Sequence, residues 1–140
     1  MRTAIDTNAI SALWSVDPLV AGILELLADA HRSGGLIIAA PVYAELLAHP
    51  RMMPHHVDEF LASTAVSIDF QMNEEVWRMA GNRFARYAAR RRVARVGQPR
   101  RLIADFVIGA HALLLADRLL TLDVSIYERE FPELKIVTCP

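Results

Sequence analysis

The chain of 140 residues has one cysteine and one lysine. Cys139 stands next to the C-terminus, so no internal disulfide can form and a reducing compartment is the simplest expectation. Lys135 falls in the last predicted strand, which excludes a response-regulator receiver, where a lysine must meet paired acids near strand one. Long apolar runs are missing too. A membrane span needs roughly 18 uninterrupted apolar residues, and the longest stretch here, VIGAHALLLA (107–116), contains Gly109 and His111 and suits a buried helix. The start lacks the basic end and apolar run of a signal peptide, because Asp6 interrupts it. The expectation is a soluble, cytoplasmic protein with no membrane partner. Glycine is absent from IDTNAI (5–10), which excludes the glycine-rich turn of dinucleotide binding. A haloacid-dehalogenase-type phosphatase would need a second acid two residues after Asp6, and Asn8 stands there.

What is present suits one domain, residues 1–140, with 54% hydrophobic and 7% aromatic residues. The net charge of −1 gives no whole-molecule attraction to acidic polymers, so any such surface must come from local segregation of charge. Strand and helix patterns alternate. TAI (3–5) is a strand ended by the capping residues Asp6, Thr7 and Asn8, before a short helix through Ala9–Trp14. A second helix opens at Asp17-Pro18, carries Val20, Ile23, Leu24 and Leu27 on one face, and ends at Ser33-Gly34-Gly35. LIIAA (36–40) is a buried strand, PVYAELLAH (41–49) begins a helix, and Pro50 to Pro54 is a break. Then follow a helix at 55–64, a strand at 66–70, a long helix at 73–92 and a break at VGQP (96–99). A helix at 102–117, a strand with its exit at 118–123, a helix at 124–131 and a strand at 134–138 complete the chain. Five strands separated by helices predict an α/β layer fold with a parallel sheet.

In such a sheet, strand exits and the starts of the following helices share one edge, where ligands bind. Asp6 and Asp123 lie at strand exits, Glu45 in the first turns of a helix after strand two, and Asp105 near the start of the helix before strand four. Four acids at one edge repel unless a cation or retained protons intervene. Oxygen donors without His or Cys suit Mg²⁺ or Mn²⁺ rather than zinc. Such ions promote phosphodiester hydrolysis. Taken singly, Asp6, Asp105 and Asp123 are better explained as helix caps or dipole partners, and an exposed helix residue would explain Glu45. Jointly they point to a metal-dependent phosphoesterase or a phosphate-handling relative.

The segments IDTNAI (5–10), PVYAELLAH (41–49), LIADFVIGAHALLLAD (102–117), LLTLD (119–123) and FPELKIVTCP (131–140) resemble, in order and spacing, those of PIN domains. The likeness is strongest to the VapC-type toxins of bacterial toxin–antitoxin pairs and covers essentially the whole chain. It implies a three-layer α/β/α sandwich with a five-stranded parallel sheet, and a Mg²⁺- or Mn²⁺-dependent endoribonuclease. It also implies an RNA substrate, a cognate antitoxin and a homodimer. The family's catalytic, metal-binding acids fall on Asp6, Glu45, Asp105 and Asp123, with Asn8 and Thr121 as supporting polar residues. Many relatives carry a further acid where this chain has Ser125, which bears on a second metal. The class-different rival is a PIN-like module that binds RNA or a partner without catalysis. The presence of all four acids counts against it.

Nine arginines and no acid lie between Arg78 and Arg101. Arg86, Arg90, Arg91 and Arg92 are the expected contacts to RNA phosphates or to an acidic antitoxin segment, with Phe84 and Tyr87 interleaved as stacking platforms. A solvated helix face explains the same run. The five histidines show no zincin spacing and are expected to be structural, His111 in the middle of a helix among apolar residues. Met52, Met53, Trp77 and Met79 suit core or subunit contacts, as do Leu13 and Trp14.

Overall fold

The structure, a computed structural model, describes residues 1–94 and 100–139; Arg95 and the expected break at 96–99 lie outside the described residues. The elements are β1 (Thr3–Ile5), α1 (Thr7–Leu13), α2 (Val20–Ser33), β2 (Leu36–Ala39), α3 (Ala40–Leu47) and α4 (Pro54–Ser63). They continue with β3 (Val66–Asp69), α5 (Glu74–Val93), α6 (Ile103–Leu115), β4 (Arg118–Leu120), α7 (Val124–Glu130) and β5 (Ile136–Val137). All pairings are parallel and the strand order is β3-β2-β1-β4-β5. This is the expected five-stranded α/β/α sandwich.

The order explains where a ligand would sit. From β1 the chain builds outward through β2 and β3, then returns to the other side of β1 for β4 and β5. The direction of winding therefore reverses between β1 and β4, and their carboxyl ends diverge into a crevice. The inner strands β1 and β2 are covered on both faces: all of Thr3–Ile5 and Leu36–Ala39 is buried, and Thr3 is their one polar residue. Helix α6 is the most enclosed, buried continuously from Phe106 to Ala112. At Gly109 it passes so close to Phe131 that an added Cβ would lie 2.4 Å from the ring. That contact fixes how far α6, with Asp105 at its start, stands from the chain after α7.

Two local expectations need correction. Helix α2 starts at Val20, not at Pro18: Asp17 accepts the Leu19 amide on its side chain at 2.8 Å and the Val20 amide on its carbonyl, making a turn before the helix. Its buried stripe is Ile23 and Ala30, flanked by partly buried Leu26 and Leu27, while Leu24 is 53% exposed. Leu24 is one residue from Ile23 and so about 100° round the helix, which carries it off the sheet-facing side. The first helix also begins earlier than expected, at Thr7, because Asp6 itself is its N-cap.

Candidate functional site

At the crevice between β1 and β4 a cleft of about 380 Å³ is lined by Asp6, Thr7, Asn8, Ser11, Glu45, Asp105, Asp123 and Tyr127. The four acids singled out in the sequence thus reach one cavity from four elements. Each has a local reason for its place. Asp6 ends β1 and caps α1, its Oδ1 accepting the Thr7 amide at 2.8 Å. Asp105 is the third residue of α6, and its Oδ2 accepts the Leu102 amide at 3.4 Å. Asp123 precedes α7 but makes no side-chain cap bond. Glu45 extends from α3 and accepts the Thr7 hydroxyl on Oε1 at 2.7 Å.

Asp6 is the best enclosed. Its Oδ2 accepts from the Thr121 hydroxyl at 2.8 Å, the Tyr127 phenol at 3.0 Å and Asn8 Nδ2 at 3.4 Å. Burial pushes its pKa up to about 6, even though the bonds from Thr121, Tyr127 and Thr7 pull the other way; Asp105 adds to the rise. Burial also raises the pKa of Asp105, against the Leu102 amide and Arg101, with Asp123 adding to the rise. The Tyr127 phenol is driven far above its ordinary value, first by burial and then by the acids around it, so it remains a donor.

Asn8 and Thr121 bind the cleft together. The Asn8 carbonyl oxygen accepts the Leu122 amide at 3.0 Å, and its Nδ2 donates to Thr121 Oγ1 at 3.3 Å. Thr121 Oγ1 in turn accepts the Asp123 amide at 3.1 Å. The start of α1 is thereby tied to the exit of β4. Sequence reasoning missed Thr7, Ser11, Tyr127 and Arg101. Arg101 donates from Nη1 to Asp123 Oδ2 and from Nη2 to Ser125 Oγ, both at 3.1 Å.

The donors fit a hard cation. They are carboxylate, hydroxyl and amide oxygens, and among the described residues every hydrogen-bond partner of the buried Asp6 carboxylate is neutral. A buried carboxylate without a positive partner is costly when ionised. As the side chains stand, no three His, Cys, Asp or Glu among the described residues converge closely enough to enclose an ion.

A model of the PIN domain matches residues 3–132. The chain belongs to the PIN-domain family. Among solved structures, this PIN domain is similar to VapBC-1 from nontypeable Haemophilus influenzae, with a TM-score of 0.67, 22% identity, and coverage of 99% of this chain and 98% of that one. It is also similar to VapBC2 from Rickettsia felis, solved bound to a DNA fragment from their promoter, with a TM-score of 0.65, 20% identity and full coverage of both chains. At such identities the likeness is one of fold. Comparison with curated proteins gives no match.

The arginine segment of this PIN domain departs from the expected stacking track. Tyr87 is buried and Phe84 partly so, and both pack on Phe106 with ring centroids 5.3 and 5.1 Å away. They belong to the core, because α5 must cover α6. Arg83 makes a two-pronged bond to Glu133 at 2.9 and 3.0 Å and lies over Phe131, and Arg90 pairs with the buried Glu130. The charge of Arg86 also acts on Glu133. Arg91, Arg92, Arg100 and Arg101 line a separate hollow of about 340 Å³ with Phe84, Tyr87 and Ala88. His111 is buried and bonds Asp69 at 3.1 Å, outside the acidic cleft. Trp14 packs edge-on against Phe60 and His49, Trp77 is half-exposed, and Met53 is exposed. Among the described residues no helix is long and apolar enough to cross a membrane.

Proposed function

We propose that this PIN domain is a Mg²⁺- or Mn²⁺-dependent endoribonuclease and the VapC-type toxin of a toxin–antitoxin pair. In this reading Asp6, Glu45, Asp105 and Asp123 hold the metal, RNA is the substrate, and a cognate antitoxin and a second copy of the chain are its partners. The carrying observation is that carboxylates from β1, α3, α6 and the β4 exit line a single cleft where the sheet winding reverses. The family is one of nucleases, and the sequence likeness to VapC-type toxins agrees with the structural likeness to two VapBC assemblies.

A divalent ion bound there supplies an acidified water and charge neutralisation at the phosphate. The chain's own part is preparation. Thr121, Tyr127 and Asn8 occupy Oδ2 of Asp6, while among the described residues Oδ1 takes only the Thr7 amide and keeps a lone pair for a cation. Thr7 fixes Glu45 against the same helix start. The Thr121–Asn8 pair holds the Asp123 backbone in place. These neutral donors orient Asp6 and Glu45 without cancelling their charge, which suits cation binding better than ion pairing would.

Expression of the chain alone tests the toxin reading. Growth should arrest, a co-expressed antitoxin should restore it, and Asp6→Asn should be harmless. Normal growth at confirmed full-length expression would contradict the toxin role.

A further inference from the structure

We infer that Arg101 is a fixed cation of the acidic cleft, taking the place of a second divalent ion and offering its remaining N–H donors to a phosphate of the RNA. The phosphate half of this statement rests on the nuclease reading above.

Asp123 has both carboxylate oxygens engaged. Oδ2 accepts from Arg101 Nη1 and Oδ1 accepts from the Ser125 hydroxyl, each at 3.1 Å. Ser125 Oγ itself accepts from Arg101 Nη2, so the three groups close a ring. Arg101 is not a loose surface arginine that happens to fall nearby. Its side chain is 23% exposed, less than the 47% of Asp123. Its backbone amide donates to the Tyr87 phenol at 2.7 Å, and Tyr87 is buried against Phe106. The position of the guanidinium is thus referred to the core. Its charge also reaches Asp105.

Among the other arginines of the segment, Arg78, Arg83 and Arg90 pair with Glu74, Glu133 and Glu130, none of which lines the cleft. Arg101 is paired with a cleft acid. It also lines the hollow walled by Arg91, Arg92 and Arg100. An anionic strand leaving the cleft over Arg101 would therefore pass from one cavity into the other.

With Arg101 in place a second divalent ion would turn the cleft net positive, whereas one leaves it net negative. The cleft holds four carboxylates. Arg101 with one divalent cation brings three positive charges against them, and two such cations with Arg101 would bring five. A guanidinium has five N–H donors in a fixed fork. Two are spent on Asp123 and Ser125, leaving others for phosphate oxygens.

The test is Mn²⁺ stoichiometry on the full chain without RNA, read from the loss of the free Mn²⁺ paramagnetic resonance signal. The unaltered chain should bind one ion, and Arg101→Lys should also bind one. The double variant Arg101→Gln/Ser125→Asp, which sets a carboxylate beside Asp123 in place of the guanidinium, should bind two. A second readout is the affinity for a short RNA in Ca²⁺, which Arg101→Gln should weaken roughly tenfold, as expected for a lost charged hydrogen bond. Two ions in the unaltered chain, or only one in the double variant, would overturn the assignment of Arg101 as a cation. Unchanged RNA affinity in Arg101→Gln would overturn its phosphate role. Cleavage enters neither readout, so a failure of the nuclease reading would show separately, as an unaltered chain that binds its ion and leaves RNA intact.

Discussion

Tyr127 donates its phenol proton to Oδ2 of Asp6 at 3.0 Å, joining residues 121 positions apart in a buried pair. Tyr127 stands one helical turn beyond Asp123, so the same short helix that follows one acid also supports another. The bond favours the ionised form of Asp6 against a burial cost that favours the neutral one. Tyr127→Phe should therefore raise the pKa of Asp6 further. A hydrogen bond to a charged group corresponds to about one pKa unit. The pH midpoint of Mn²⁺ binding should move up by about that amount, and an unmoved midpoint would remove Tyr127 from the support of Asp6.

The raised pKa of Asp6 has a consequence for stability in the absence of metal. Between its ordinary value of 3.8 and about 6, the folded chain keeps a proton that the unfolded chain releases. Its contribution to stability thus falls as pH rises through that window, by about 3 kcal/mol at most. Asp6→Asn abolishes the titration. In EDTA, urea unfolding from pH 4 to 7 should show the variant gaining on the unaltered chain as pH rises. Parallel curves would mean that Asp6 ionises as easily in the fold as in the unfolded chain.

Arg90 and Arg92 should behave differently although they are two residues apart. Arg90 pairs with Glu130, whose side chain is 4% exposed, so Arg90→Gln leaves a buried carboxylate without its cation. A loss of about 1–3 kcal/mol is expected. Arg92 lines the hollow beside Arg101, and Arg92→Gln should leave thermal stability unchanged while flattening the salt dependence of RNA binding. Equal melting temperatures for the two variants would contradict the division of the segment into bolting and binding arginines.

Gly109→Ala sets the gain in helix propensity against collision with Phe131. The methyl group would lie 2.4–2.8 Å from ring atoms in a fully buried layer. Overpacking of that kind outweighs the propensity gain, and a net loss of about 1–3 kcal/mol is expected. Chemical denaturation measures it directly. A stabilised variant would show that α6 and Phe131 can separate without cost.

The acids were legible in the sequence because parallel topology carries strand exits and helix starts to one edge whatever the loops do. Asp6, Glu45, Asp105 and Asp123 needed only their positions relative to predicted elements. Their neutral partners did not follow the same logic. Tyr127 looks like one more apolar residue of α7, and its phenol finds Asp6 only through long-range packing. The available signal was that a buried tyrosine needs a hydrogen-bond partner, and that Tyr127 follows Asp123 by one turn. The arginine segment misled for a related reason. No acid lies within it, but Glu130 and Glu133 arrive from α7 and the turn after it. Phe84 and Tyr87 alternate with arginines along the chain yet face Phe106, since helical spacing sets which side meets the core.

The cleft holding Asp6 is proposed as a metal-dependent catalytic site for RNA, and cleavage measures this directly. Purified chain incubated with RNA and Mn²⁺ or Mg²⁺ should give discrete internal cleavage products, and EDTA should abolish them. Asp6→Asn should reduce the rate by two or more orders of magnitude, roughly the loss seen when a group that stabilises transition-state charge is removed. Cleavage by Asp6→Asn at the rate of the unaltered chain would contradict the account, and so would cleavage that persists in EDTA.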